Sequence, residues 1–153
     1  MEDVELVLRF FALIDDKYKL YKKTKEKQFK DFLSEELEER NKLSPDQIEK
    51  NANFFKNTIK CIYDKFGELA FAKYKFDGND LVKQSNFNAA VYDALVVAVA
   101  SEVDVTKPNI TNKQKDAFLN LFKDSTFHES VSGSILDSSK LVSRIDKARE
   151  LFK

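Results

Sequence analysis

The stretch from Val91 to Ala100, Val-Tyr-Asp-Ala-Leu-Val-Val-Ala-Val-Ala, is apolar almost all the way round a helix, so the fold must enclose it on every side. Valine-rich runs also suit strands, but a lone strand finds no partner elsewhere in the chain, and context therefore favours a helix. That helix is expected to be capped by Ser85 or Asn86 and to run to about Val103. No uninterrupted apolar run approaches the roughly eighteen residues of a membrane span. Ala94 to Ala100 comes nearest, and no membrane partner is expected.

A second greasy segment spans Asp3 to Ile14. Val4, Val7, Leu8, Phe11 and Ile14 fall at helical spacing, and Leu6, Phe10 and Leu13 fill another stripe. Such a helix is either central or half of an interface. Gln28 to Arg40 reads as an amphipathic helix with Phe29, Phe32, Leu33 and Leu37 inward. Ser44-Pro45-Asp46-Gln47 is a helix start with a capping box, and the helix it opens ends at Gly67. Thr111 with Gln114 starts another helix, Phe127 to Val131 adds a turn, and Ser138 or Ser139 begins the last, with Leu141, Val142, Ile145, Ala148 and Phe152 inward.

Three Gly and two Pro in 153 residues leave too few turn formers for a many-stranded β fold. The expectation is an all-α fold, an irregular bundle of six or seven helices around two largely buried ones, in a single helical domain over 1–153. Basic and acidic residues balance at 26 each, which argues against bulk electrostatic attachment to nucleic acid or membrane. One cysteine, Cys61, cannot close an internal disulfide, and the acidic Met1-Glu2-Asp3 start is unlike a secretory signal, so a cytoplasmic location is expected.

Chemistry is sparse. His128 is the sole histidine and stands without a nucleophile or oxyanion motif; Cys61 on an amphipathic helix reads as a core thiol. Asp77-Gly78-Asn79-Asp80 opens like a calcium loop, but Asn88 occupies the twelfth position where a glutamate is required, so the segment reads as a turn. Glu35, Glu36, Glu38 and Glu39 form a solvated face. No glycine-rich phosphate loop exists. No catalytic residue, metal site or cofactor is expected.

Two groups of residues remain as binding candidates. Lys19, Lys22, Lys23, Lys25 and Lys27, with Tyr18 and Tyr21, make the 17–30 segment the one strongly basic stretch, suited to phosphates and unpaired bases. Against this, Lys outnumbers Arg by 22 to 4 along the whole chain, so a solvated loop is the competing reading. Val4, Leu6, Phe10 and Leu13 are candidate interface residues. Arg9, in mid-helix among Phe and Leu, calls for a buried partner such as Asp93 or Glu68, and otherwise reads as an arginine snorkelling at the rim.

Glu5-Leu6-Val7-Leu8-Arg9-Phe10-Phe11-Ala12 resembles the helix that follows the ParB-like domain in a large bacterial family of unknown-function proteins related to GmrSD-type restriction endonucleases. Lys30-Asp31-Phe32-Leu33, Phe66-Gly67 with Ala70-Phe71, Asn86 running into Asp93-Ala94-Leu95, and Ser143-Arg144-Ile145 follow in a similar order. The resemblance implies a helical region that packs beside a ParB-like nucleotidase domain in systems restricting modified phage DNA. The Asp-Gly-Gln-Gln-Arg type nucleotidase motif and the His-Asn-His nuclease motif do not occur, so no catalytic residue carries over. The chain is expected to be a non-catalytic accessory portion or fragment of a larger protein, with the nucleotidase domain, another protein or a second copy of itself as partner.

Overall fold

The computed structural model describes residues 3–23, 28–134 and 136–153. In chain order these form α1 (Asp3–Leu13), α2 (Lys17–Lys23), α3 (Phe29–Arg40), α4 (Pro45–Phe66), β1 (Lys73–Asp77), β2 (Asp80–Ser85), α5 (Ala89–Glu102), α6 (Asn112–Asn120), α7 (Ser125–Ser130) and α8 (Ser138–Glu150). Single 3₁₀ turns follow α4 at Gly67–Leu69 and α6 at Leu121–Lys123.

The Val91–Ala100 run lies in α5, whose residues are buried continuously from Ala89 to Val99. Full enclosure contributes about 1.5–3 kcal/mol for each Val or Leu, which outweighs the modest helix propensity of valine. α5 packs most extensively on α8 and also meets α1 and α4. Its cap is Asn88 rather than Ser85 or Asn86, since Ser85 is the last residue of β2. The Asn88 side chain accepts from the backbone N–H groups of Ala90 and Val91, both at 3.0 Å.

The other helix starts follow from their local sequences. Ser44 and Gln47 close a capping box with Pro45 at the first helical position, and α4 ends at Gly67 with φ of +73°, where a side chain would be strained. Thr111 and Gln114 repeat the box on α6. α8 is capped by Asp137, one residue before the two serines that open it.

The chain is mostly helical, and the all-α expectation is corrected at β1 and β2. These two strands pair antiparallel, with Tyr74 opposite Lys83 and Asp77 opposite Asp80, around a turn in which Gly78 has φ of +60°. Each strand supplies the other's partner, and the hairpin rests on helix: Tyr74 meets Phe122 edge-on with ring centroids 5.6 Å apart, and the Lys123 ammonium sits 4.5 Å from the centre of the Phe76 ring.

A second correction concerns α1. Phe10 and Leu13 are fully buried, and Phe10 stacks edge-on against Phe55 of α4 at 5.1 Å, so neither is available as an interface. Leu6 is half-buried against the core, whereas Val4 is 73% exposed. Between α1 and α2, Asp15 and Asp16 both take left-handed backbone conformations, with φ of 56° and 61°.

Candidate functional site

Three charged side chains meet in the interior where α1, α5 and α8 come together. Arg9 donates through Nε to Asp93 Oδ1 at 3.0 Å and through Nη2 to Asp93 Oδ2. Arg144 donates through Nη2 to the same Oδ2 at 2.8 Å and through Nη1 to the Ser130 carbonyl at 3.2 Å. All three residues are 0% exposed. Glu68, the other partner considered for Arg9, is exposed in the turn after α4.

Two guanidinium groups on one carboxylate leave an excess positive charge, and Glu5 offsets it from one helical turn before Arg9, its Oε1 lying 3.7 Å from Arg9 Nη1. The Arg9 guanidinium also covers the Phe29 ring at 4.6 Å, which joins α3 to the centre. Burial pulls Arg144 below the ordinary arginine value, and the Asp93 carboxylate counters it. Beside this group the Tyr92 hydroxyl donates to the Leu6 carbonyl at 2.8 Å, and burial raises its pKa well above the usual tyrosine range. Both Asp93 oxygens are occupied and sealed from solvent, so the centre acts as a clamp on three helices and offers no atom to a substrate.

Arg144 was the member that sequence reasoning missed. Its signal was present: it stands three residues after Leu141 and one before Ile145, on the inward stripe of α8, where a charged residue demands a partner.

Two apolar grooves open on the two flanks of α1. One, between α1 and α3, has a volume of ≈ 330 Å³ and is lined by Leu8, Phe29, Leu33, Leu37 and Leu136 with Glu5, Lys30 and Ser34 among them. Leu37 and Leu136 are respectively 48% and 46% exposed at this groove. The other, between α1 and α4, has a volume of ≈ 340 Å³; Val7, Phe11, Leu43, Ile48, Ala52 and Phe55 line it, with Asn51, Arg40 and Lys56 as the polar lining residues.

The basic segment is largely committed elsewhere. Tyr18 is buried and its hydroxyl donates to Asp146 at 2.5 Å; Tyr21 is buried and donates to the Leu136 carbonyl at 3.1 Å. Neither ring can stack on a base, which corrects their assignment as nucleic-acid contacts. Lys17 pairs with Glu36 at 2.8 Å and Lys19 with Asp16 at 3.0 Å. The Lys22 and Lys23 side chains, and Lys25 and Lys27 altogether, lie outside the described residues.

Cys61 is buried on α4 and burial pushes its thiol up, away from the thiolate a nucleophile needs. His128 is half-buried on α7. Among the described residues, no group of three or more His, Cys, Asp or Glu is placed to hold a metal ion, and no helix is long and apolar enough to cross a membrane. No protein-family model, curated protein or solved structure matches the chain.

Proposed function

We propose that this chain is a non-catalytic helical interaction domain that docks on a partner protein through the α1/α3 groove and the adjoining exposed start of α1. The observation that carries this reading is the set of large apolar side chains left open there: Leu37 and Leu136 line a groove together with Leu8, Phe29 and Leu33, and Val4 is exposed at the start of α1. Val4 and Leu8 are one turn apart on the same face of α1. Glu5, Lys30 and Ser34 supply the polar fraction that a separable protein interface carries.

The partner we propose is the ParB-like nucleotidase domain of a restriction-like phage-defence protein, for which this region would be the helical accessory portion in the bacterial cytoplasm. Support comes from where the resembling segments meet. Arg9 of the Glu5–Ala12 segment, Asp93 of Asp93-Ala94-Leu95 and Arg144 of Ser143-Arg144-Ile145 are the three members of one buried centre, though 84 and 51 positions separate Asp93 from its two partners.

Isothermal titration of this chain with a purified ParB-like nucleotidase domain of a GmrSD-type protein tests the proposal. Saturable binding that Leu37→Glu and Leu136→Glu each weaken at least tenfold is the expected result. Absence of binding, or binding indifferent to both substitutions, overturns it. Dimerisation of the chain through the same residues in sedimentation velocity would replace the partner with a second copy.

A further inference from the structure

The α1/α4 groove differs from its neighbour in the charge of its lining. No aspartate or glutamate lines it; the ionisable lining residues are Arg40, at the end of α3, and Lys56, on α4. The Arg40 guanidinium sits over the Phe11 ring, 3.6 Å from its centre, and donates through Nε to Glu36 at 2.8 Å. Glu36 is shared, since its other oxygen accepts from Lys17 at 2.8 Å. One carboxylate thus serves two cations, and among the described residues the two Nη groups of Arg40 and the ammonium of Lys56 make no hydrogen bond or ion pair with a protein group. The groove therefore presents hydrocarbon along its length and cationic donors, the Arg40 Nη groups and the Lys56 ammonium, at its polar lining.

We infer that this groove binds an aliphatic monocarboxylate, with the alkyl chain against Val7, Phe11, Ile48, Ala52 and Phe55 and the carboxylate on Arg40 and Lys56. Length sets the class of chain. Ile48, Ala52, Phe55 and Lys56 stand along one face of α4. From Ile48 to Lys56 the helix rises about 12 Å, which an extended chain of about ten carbons spans. The volume of ≈ 340 Å³ lies at the small end of ligand sites, which fits a single unbranched chain and excludes a diacyl lipid. A guanidinium already held over an aromatic ring and by an Nε hydrogen bond loses little freedom on meeting a carboxylate, and its two Nη groups remain to pair with it. An apolar neutral ligand would leave the Arg40 Nη groups and the exposed Lys56 ammonium without a partner in the groove, and a short carboxylate such as acetate would leave the hydrocarbon wall exposed, so chain and charge are needed together.

Isothermal titration and ¹H–¹⁵N correlation spectra of the full chain with sodium decanoate, kept below its micelle-forming concentration, test the inference, with decanol and acetate as controls. Decanoate should bind at one site and move the amide signals of Val7, Ala52, Phe55 and Lys56, with decanol binding at least tenfold more weakly and acetate not at all. Lys56→Gln, an exposed replacement remote from the buried charge centre, should weaken decanoate several-fold without weakening decanol. Ala52→Trp, which fills the groove, should abolish binding of both while the rest of the spectrum stays dispersed. Equal affinity for decanoate and decanol, indifference to Lys56→Gln and Ala52→Trp, or signals moving in the α1/α3 groove instead, would each overturn it.

Discussion

Arg9 and Arg144 donate to a single oxygen atom, Oδ2 of Asp93, from helices that lie at opposite ends of the chain. Each arginine is thereby dependent on a carboxylate it shares, and the sharing fixes how α1, α5 and α8 can pack.

Removing that carboxylate strands two buried guanidinium groups. Asp93→Asn should cost at least about 3–5 kcal/mol in urea unfolding, the usual loss when one partner of a buried ion pair disappears. Replacing the whole group by hydrocarbon removes the desolvation cost together with the attraction, so the triple variant Arg9→Met, Asp93→Leu, Arg144→Met should recover most or all of the lost stability. A single Asp93→Asn protein within about 1 kcal/mol of wild type would show that the centre is not a clamp.

At the α1–α2 junction, Asp15 and Asp16 offer a paired comparison. Both are left-handed, but Asp16 accepts from Arg149 and Lys19, whereas Asp15 is exposed and makes no ion pair among the described residues. Asp15→Gly should raise the thermal midpoint, with a gain of up to about 1 kcal/mol from relieved backbone strain. Asp16→Gly relieves the same strain but deletes two ion pairs, and its midpoint should fall below that of Asp15→Gly. The reverse order in calorimetry would contradict this.

The position of the α5 cap is measurable in the same way. Asn88→Ala removes the acceptor for two backbone donors and should cost about 0.5–2 kcal/mol. Asn86→Ala, at an exposed residue beyond the end of β2, should stay within about 0.5 kcal/mol of wild type.

Stability should fall at both extremes of pH, for separate reasons. Lys19 and Arg149 hold the Asp16 carboxyl below its ordinary value of 3.8, and Lys147 with the Phe127 N–H does the same for Asp124. A carboxyl lowered in the folded state contributes stability that is present above its unfolded pKa and lost as pH falls below about 4. Burial raises Tyr18 and Tyr92 above the ordinary 10.0. Their contribution is complete below pH 10 and declines as pH rises past it. Ultraviolet titration should show tyrosinate from these rings appearing together with loss of helical circular dichroism above pH 10; full ionisation with the helix signal intact would contradict the burial of Tyr92.

Much of the helical layout could be read from residue patterns, because capping boxes and 3.6-residue periodicity are local. Ser44-Pro45-Asp46-Gln47 and Thr111 with Gln114 mark helix starts wherever the helix is then placed. The hairpin was hidden because Asp77-Gly78-Asn79-Asp80 reads as a turn without flanking strands, although the alternation of Tyr74 and Phe76 before Asp77-Gly78 is a strand signal. Arg9 announced its need for a partner, but the second arginine on Asp93 depends on how α8 crosses α5, which no local pattern encodes. The 17–30 segment misled for the opposite reason: Tyr18 and Tyr21 look available beside lysines, and only tertiary packing turns both inward against Asp146 and the Leu136 carbonyl.

On the proposed reading, function resides on the surface beside α1, while the buried charges of Arg9, Asp93 and Arg144 hold that surface in shape. The decisive measurement is hydrogen exchange followed by mass spectrometry, with and without the proposed partner, a ParB-like nucleotidase domain. Added protection is expected in peptides covering the start of α1 and the Phe29–Leu37 part of α3, with the β1–β2 hairpin unchanged. Protection confined to the hairpin or to α6 and α7, with α1 and α3 exchanging as in the free chain, would contradict it.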